Sequence, residues 1–272
     1  MGSAINHVIL SALIVSIVSV SNAEEQAKSL KEATMNPINE SKGYKIRRSS
    51  DRGFFDHGWL KTYHTFSFAD YYDPQFMGFR SLRVINEDTV SPGKGFPTHG
   101  HDNMEIITIL LNGELAHKDS LENEKIIHEH EIQAMSAGTG VHHSEYNPSN
   151  VNISHFLQIW IVPDEQGIKP RYQQRSLPQK ENEWILLASK TGEENSLRVQ
   201  QDVKLYILSL SAKHTIEKTL NSHRYGWLQI MSGNVKFNGE LLDAGDGVQL
   251  DPGTKIELLA VNPAKILFFD LN

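Results

Sequence analysis

Short apolar segments alternate with turn-forming residues along most of the chain. From Tyr44 onward, runs rich in Val, Ile, Leu, Phe and Trp are separated by Gly, Asn, Asp and Pro, and long helical periodicity is absent. This alternation predicts short strands and an all-β fold, either a sandwich or a barrel. The predicted strands are Ser81–Ile85, Met104–Leu111, Glu114–Lys118, Ile132–Ser136, Ser154–Val162, Trp184–Ala188, Lys204–Leu210, Trp227–Met231, Asn234–Phe237, Val248–Leu250, Lys255–Leu259 and Lys265–Asp270.

Two segments share a layout at an offset of 120 residues. Glu105–His117 (EIITILLNGELAH) and Tyr225–Phe237 (YGWLQIMSGNVKF) each contain an apolar strand, a tight turn and a second strand. Asn112-Gly113 predicts a hairpin, because type I′ turns need positive φ at both central residues, and Gly233 takes the matching place. The repeat predicts two domains, residues 44–170 and 171–272, after a polar linker at residues 24–43.

The N-terminal end has the pattern of a secretory signal peptide. Val8–Val20 is an apolar run too short to span a bilayer, and small residues up to Ala23 precede two glutamates. Residues 1–23 are therefore predicted to be removed, which gives a periplasmic or secreted protein without membrane attachment. The segment before the apolar run lacks Lys and Arg, so the alternative is a cytoplasmic protein that starts at Met35.

Composition excludes several classes of site. The formal net charge is -7 and no block of Lys or Arg stands out, which argues against direct nucleic-acid binding. The chain has no cysteine, so disulfides, thiolate metal sites and cysteine nucleophiles are excluded. Any metal must be held by nitrogen and oxygen, and the 13 histidines make such a site feasible.

The segment FPTHGHDNME contains the first candidate ligands. Pro97 and Gly100 disfavour a helix, and in an extended chain residues two apart face the same way. His99, His101 and Glu105 would then share one face.

The segment GTGVHHSEYN contains the second pair. By the same parity His143 and Glu145 share a face and His142 points away. If the two segments lie on neighbouring strands, three imidazoles and one carboxylate form a site for a divalent metal.

Other histidines and apolar neighbours receive weaker predictions. His128 and His130 lie in a hydrophilic stretch and are predicted to be solvated, while His57 and His64 are predicted to pack or form hydrogen bonds. Phe96 and Met104 flank the first motif and either line its mouth or pack in the core.

The two histidine segments resemble the two sequence motifs of cupins. GKGFPTHGH is similar to the first motif and GVHHSEYN to the second, and the chain resembles pirin-family bicupins of the bacterial quercetin 2,3-dioxygenase type. The segments that carry this likeness are His57–Pro74, Phe76–Asp88, Met135–Ser149 and Leu157–Gln174.

The resemblance implies two tandem cupin barrels and a ligand set. It makes His99, His101, His143 and Glu145 the metal ligands, whereas many other cupins would use Glu105 as the carboxylate. The expected cofactor is one divalent ion, Fe(II), with Mn, Co, Ni, Cu and Zn as alternatives. The second barrel is expected to lack a metal, as the resemblance also implies, because the matching positions are Thr219, Asn221 and Pro263.

The resemblance also implies a reaction. The expected activity is a dioxygenase that opens the heterocycle of quercetin-like flavonols with O2 and releases CO, with Glu145 as the general base. The alternative is a non-catalytic, metal-binding redox regulator that binds a protein partner.

The signal-peptide hypothesis predicts the N-terminus of the mature protein. Edman sequencing of the protein isolated from its native cells is expected to start at Glu24, in an extracytoplasmic fraction. A native protein that starts at Met35 and stays with the cytoplasmic fraction would contradict export.

Overall fold

Strand pairing divides the described part of the computed structural model, residues 43–272, into two large and two small sheets. The predicted signal peptide, residues 1–23, and linker residues 24–42 lie outside the described residues. The strands up to residue 176 are β1 (Tyr44–Arg47), β2 (Gly53–Asp56), β3 (Leu60–His64), β4 (Leu82–Val90), β5 (Gly95–His101), β6 (Glu105–Asn112), β7 (Glu114–Asp119), β8 (Glu124–His128), β9 (Glu131–Ser136), β10 (Val141–Tyr146), β11 (Ser154–Ile161) and β12 (Arg171–Ser176).

The remaining strands build the second half of the molecule. They are β13 (Trp184–Ser189), β14 (Leu197–Arg198), β15 (Val203–Leu210), β16 (Thr215–Thr219), β17 (Tyr225–Ser232), β18 (Val235–Phe237), β19 (Glu240–Leu242), β20 (Gly247–Leu250), β21 (Lys255–Ala260) and β22 (Ala264–Leu271). Between residues 43 and 272 the helices are two turns of three residues, η1 (Ser49–Asp51) and η2 (Glu193–Asn195), and neither is long enough to cross a membrane.

The two halves repeat the same strand order, which confirms the predicted all-β fold of two cupin units. In the first lobe a large sheet, β12-β9-β6-β11-β4-β3-β2, faces a small sheet, β5-β10-β7-β8. In the second lobe the large sheet is β1-β20-β17-β22-β15-β13-β14 and the small sheet is β16-β21-β18-β19. Each lobe is thus a sandwich of two antiparallel sheets.

The sheets do not follow the predicted domain division at two places. β1 pairs with β20, so the first described strand completes the large sheet of the second lobe. β12 begins at Arg171 but pairs with β9 in the first lobe. The division at 170 and 171 stays a prediction, and apart from β1 the strands of the second lobe all follow residue 176.

The predicted hairpin at Asn112-Gly113 is wrong. The chain does turn there, with φ 82° at Gly113, but β6 and β7 belong to different sheets and do not pair. Gly233 makes the same change of sheet between β17 and β18. A true hairpin joins β18 to β19 through Asn238-Gly239, with φ 47° and 85°. The apolar strands around residue 113 each have other partners, so packing overrides the local turn signal.

The core lies mainly between the two large sheets. One face of each sheet contributes to a single buried cluster that includes Ile107, Ile109, Leu157, Leu205, Trp227 and Phe269. Each such side chain stabilises the fold by about 1.5–3 kcal/mol on burial. The opposite face of the first lobe's large sheet is therefore free to line a site within that lobe.

Alanine substitution of Gly233 and of Gly239 tests why these two turns need glycine. A Cβ at Gly233 would lie 2.3 Å from the Pro263 carbonyl oxygen, whereas a Cβ at Gly239 meets nothing within 4 Å. Both residues have positive φ, so Gly239→Ala is expected to cost about 1 kcal/mol for the backbone conformation alone. Gly233→Ala adds the clash and is expected to cost about 3 kcal/mol. Urea denaturation measures both, and equal losses would contradict the packing argument.

Candidate metal centre

The pairing of β5 with β10 brings the two histidine segments together. His99 lies directly opposite His143, and His101 lies opposite Val141. A β-bulge follows, so that Glu145 lies opposite Phe96 and its side chain turns inward. His143 and Glu145 are buried and His142 is exposed, which confirms the predicted parity of this strand.

The three imidazoles of His99, His101 and His143 converge on one point. Their ring centroids are 4.4 Å apart for His99 and His143, 4.8 Å for His99 and His101, and 4.9 Å for His101 and His143. One ring nitrogen from each lies within 4.8 Å of the others. The Nδ1–H of His99 donates to the Pro97 carbonyl oxygen at 2.8 Å, because that oxygen can only accept. Nε2 of His99 is therefore left with a lone pair for a metal.

Several buried polar atoms at this point lack a protein partner. Both ring nitrogens of His143 and Oε1 of Glu145 form no hydrogen bond, and the two side chains are 2% and 1% exposed. Oε2 of Glu145 accepts a hydrogen bond from Nε2 of Gln158 at 2.8 Å. Unpartnered buried nitrogen and oxygen atoms are costly, and a bound cation would satisfy one ring nitrogen of His143 and Oε1 of Glu145.

The pKa values of these groups favour neutral imidazoles. Burial, with the neighbouring imidazoles His99, His101 and His117, lowers the pKa of His143 to about 2. Burial and His99 lower the pKa of His101 to about 4. Both rings are uncharged at neutral pH, which is the form that binds metals. Burial raises the pKa of Glu145 to about 7, with Asp88 adding to the effect.

Glu105, the alternative carboxylate, lies elsewhere. Its Oε2 accepts a hydrogen bond from Ser136 Oγ at 2.7 Å, and Arg171 is its charged neighbour. The expectation that it shares a face with His99 and His101 is wrong, because β5 ends at His101 and Asn103 has a φ of 44°. This turn breaks the two-residue parity before β6 begins.

His117 is a further member of the cluster that the sequence did not indicate. It forms a second group of potential ligands with His143 and Glu145, all three buried. Its Nε2 is 3.1 Å from Asp119 Oδ2, and its Nδ1 has no partner. β7 carries His117 and pairs with β10 so that His117 faces Glu145. Only this cross-strand register identifies the residue.

A cavity of about 400 Å³ opens beside the histidines. His99, His101 and Glu145 lie on its wall together with the apolar side chains of Phe68 and Trp160. Of the two flanking residues, Phe96 lines the cavity, while Met104 packs against a small core cluster with Trp160.

The remaining predicted histidines fall into two groups. His57 and His64 line the cavity, and His64 packs against the rings of Phe55 and Phe68. His128 and His130 are exposed on the surface, where Nδ1 of His128 is 3.2 Å from Glu114. Within residues 43–272, both groups of potential metal ligands lie in the first lobe.

Comparison with known proteins places the chain among bicupins with this type of site. Residues 45–161 match the profile of the Pirin family, and residues 186–271 match that of the quercetinase C-terminal cupin domain. A quercetin 2,3-dioxygenase of Escherichia coli (strain K12) is 43% identical over 226 residues, 83% of this chain and 97% of that protein. A pirin-like protein of Caulobacter vibrioides is 37% identical over 223 residues, 80% and 95% of the two chains.

A solved structure supports the same family assignment. The bacterial pirin YhhW of Escherichia coli in complex with nickel(II) superposes with a TM-score of 0.81 at 43% identity, covering 84% of this chain and 98% of that one. The fold, the His/Glu cluster and these matches define a bicupin whose first lobe has the donors of a metal site. The chain belongs to the pirin family.

The buried Glu145 predicts a pH dependence of stability in the metal-free protein. Its pKa is about 7 in the folded state against 4.5 for the ordinary group, so the folded state binds the proton more tightly. The resulting stabilisation is present below pH 4.5 and is lost as the pH rises through 7. Relative to Glu145→Gln, the wild-type free energy of unfolding is expected to fall by about 2–3 kcal/mol between pH 5 and 8.

Urea denaturation at several pH values, with a chelator present, measures this difference. The Gln variant keeps the size of the side chain and does not titrate, so other groups cancel in the comparison. Parallel curves for the two proteins would contradict a raised pKa at Glu145.

Proposed function

We propose that this protein is a metal-dependent dioxygenase that opens the heterocycle of quercetin-like flavonols with O2 and releases CO. The observation that carries the proposal is the convergence of His99, His101 and His143 beside a cavity of about 400 Å³, which His99 and His101 line. The relatives named quercetin 2,3-dioxygenase support the reaction type. Fe(II) is the proposed ion, with His99, His101, His143 and Glu145 as its ligands.

The donor set suits a metal with open coordination positions. Imidazole and carboxylate bind iron, nickel, manganese, cobalt, copper and zinc, so the ligands alone do not select one of them. When bound, the ion supplies Lewis acidity that favours a deprotonated, chelated hydroxyl on the substrate.

The protein's own residues provide the proton acceptor and the dry surroundings. Glu145 lines the cavity, where its carboxylate can act as a general base on a substrate hydroxyl while it coordinates the ion loosely. Gln158 holds one carboxylate oxygen of Glu145 and leaves the other without a partner to receive the proton. Phe68, Phe96 and Trp160 form apolar walls against which a flat ring can lie.

The cavity also favours the enzyme over the alternative of a non-catalytic regulator. A regulator that senses metal oxidation and binds a protein needs a responsive surface, but it does not need a chamber beside the donors. The chamber has the size of a site for a small organic molecule.

Substitution of two ligands tests the activity. Protein loaded anaerobically with Fe(II) or Ni(II) is expected to consume quercetin in air, followed by loss of the flavonol's visible absorbance and by gas analysis for CO. His99→Ala combined with His143→Ala is expected to lower the rate by more than about a hundredfold, because two donors are lost. His142→Ala is the matched control, since its exposed side chain adjoins His143 in sequence and points away.

Full turnover by the double variant would refute the proposed site. Tight metal binding by the wild type without any flavonol turnover would favour the regulator instead. Elemental analysis of each purified variant separates loss of metal from loss of chemistry.

A further inference from the structure

Four polar side chains on β3 and β4 line the cavity and have no role in the proposed chemistry. We call these residues, Thr62, His64, Asn86 and Asp88, the polar wall. Thr62 lies opposite Asp88, and His64 lies opposite Asn86, in the pairing of the two strands. All four side chains are at least nine-tenths buried, at 3%, 4%, 3% and 4% exposure, and all four face the same cavity as His99 and His101.

The polar wall contains groups that the protein leaves without partners. Oδ1 of Asn86 and Nδ1 of His64 are buried and form no hydrogen bond. Burial raises the pKa of Asp88 to about 7, although the Thr62 hydroxyl beside it partly offsets this effect. A buried polar atom without a partner costs about 1–3 kcal/mol, so two such atoms on residues that face one cavity call for a ligand.

The second lobe shows that the fold itself does not need these polar residues. Its large sheet has the same order, and the register places Trp184, Leu186, Tyr206 and Leu208 at the positions of Thr62, His64, Asn86 and Asp88. Leu208 belongs to the second lobe's apolar core, against which Trp184 and Tyr206 pack. The same strand order therefore folds with largely apolar side chains at these four positions. The polar wall must have a role other than folding.

The chemistry of the polar wall indicates what it binds. Asn86 Oδ1 and the Asp88 carboxyl oxygens accept hydrogen bonds, so the ligand must present O–H or N–H donors. Among residues 43–272 no Lys or Arg lines the cavity, and Asp88 and Glu145 are both acidic, so an anionic group would lack compensation from these side chains. Phe68, Phe96 and Trp160 line the same cavity and favour a ligand with a flat, apolar body.

We propose that the polar wall is a specificity site that binds hydroxyl groups of an uncharged, hydroxylated aromatic substrate, other than the oxygens that chelate the metal. This inference rests on the proposed function and adds which part of the substrate is recognised. Hydroxylated and unhydroxylated flavonols are then distinguished by the polar wall, whereas chelation is common to both.

Anaerobic binding measurements test the polar wall without relying on turnover. Ni(II)-loaded protein is titrated under argon with quercetin and with 3-hydroxyflavone, which keeps the chelating oxygen pair and lacks the other hydroxyls. Quenching of tryptophan fluorescence and the shift of the flavonol absorbance report the two dissociation constants. Nickel content is measured for every variant.

The variants come in two matched pairs. Asn86→Leu and Thr62→Val remove polar groups of the wall. Gln133→Leu and Thr108→Val remove an amide and a hydroxyl that are equally buried on the same sheet, also have unpartnered oxygens, and do not line the cavity. Each wall variant is expected to weaken quercetin binding about three- to tenfold and to leave 3-hydroxyflavone within about twofold. The two control variants are expected to change neither constant.

The possible results distinguish failure of the specificity site from failure of the proposed function. An unchanged ratio of the two dissociation constants in both wall variants would overturn the specificity site and leave the proposed function standing. The same holds if the control variants change the ratio as much as the wall variants do. If the nickel-loaded wild type binds neither flavonol, the proposed function fails and the inference fails with it.

Discussion

The register between β5 and β10 is the constraint on which the chemistry of the first lobe depends. Side chains alternate between the two faces of a strand, so a slip of one residue would send the histidines of one strand to solvent. The observed pairing instead sets His99 against His143 and, after the bulge, brings Glu145 inward. The rings of His101 and His143 can lie within 5 Å of each other because burial lowers the pKa of both and keeps them uncharged.

The duplication of the fold divides stability and chemistry between the lobes. Across the inner face of the first large sheet runs a polar row in register, His64, Asn86, Gln158, Thr108 and Gln133. The same row in the second lobe is Leu186, Tyr206, Phe268, Leu228 and Val248. Buried polar groups lower the stability of the lobe that contains them. The first lobe shares the large core between the lobes, and the burial of that core offsets part of this cost.

The sequence predicted those features that depend on neighbouring residues in one strand. The twelve strands that were predicted, out of 22 in residues 43–272, the parity of His143 and Glu145, and the repeat at residues 105 and 225 all follow from local patterns. Features that depend on the partner strand were missed. The residues of one strand do not indicate that β3 pairs with β4 or that β7 pairs with β10. His117, Asn86 and Asp88 belong to this class. The prediction for Glu105 failed because parity cannot be carried through the turn at Asn103, and Asn112-Gly113 misled because both adjoining strands have better partners elsewhere.

The contacts of Glu145 fit the two roles proposed for it, as a metal ligand and as a proton acceptor. Gln158 donates to Oε2, and Trp160 in turn donates to the side-chain oxygen of Gln158 at 3.2 Å, so the amide is held in one orientation. The fixed oxygen keeps the carboxylate in place while Oε1 remains available. In the metal-free protein, burial raises the pKa of Glu145 to about 7, so this carboxylate binds a proton more tightly than an exposed one does. At the matching position the second lobe has Leu258, opposite Phe237, and can do neither.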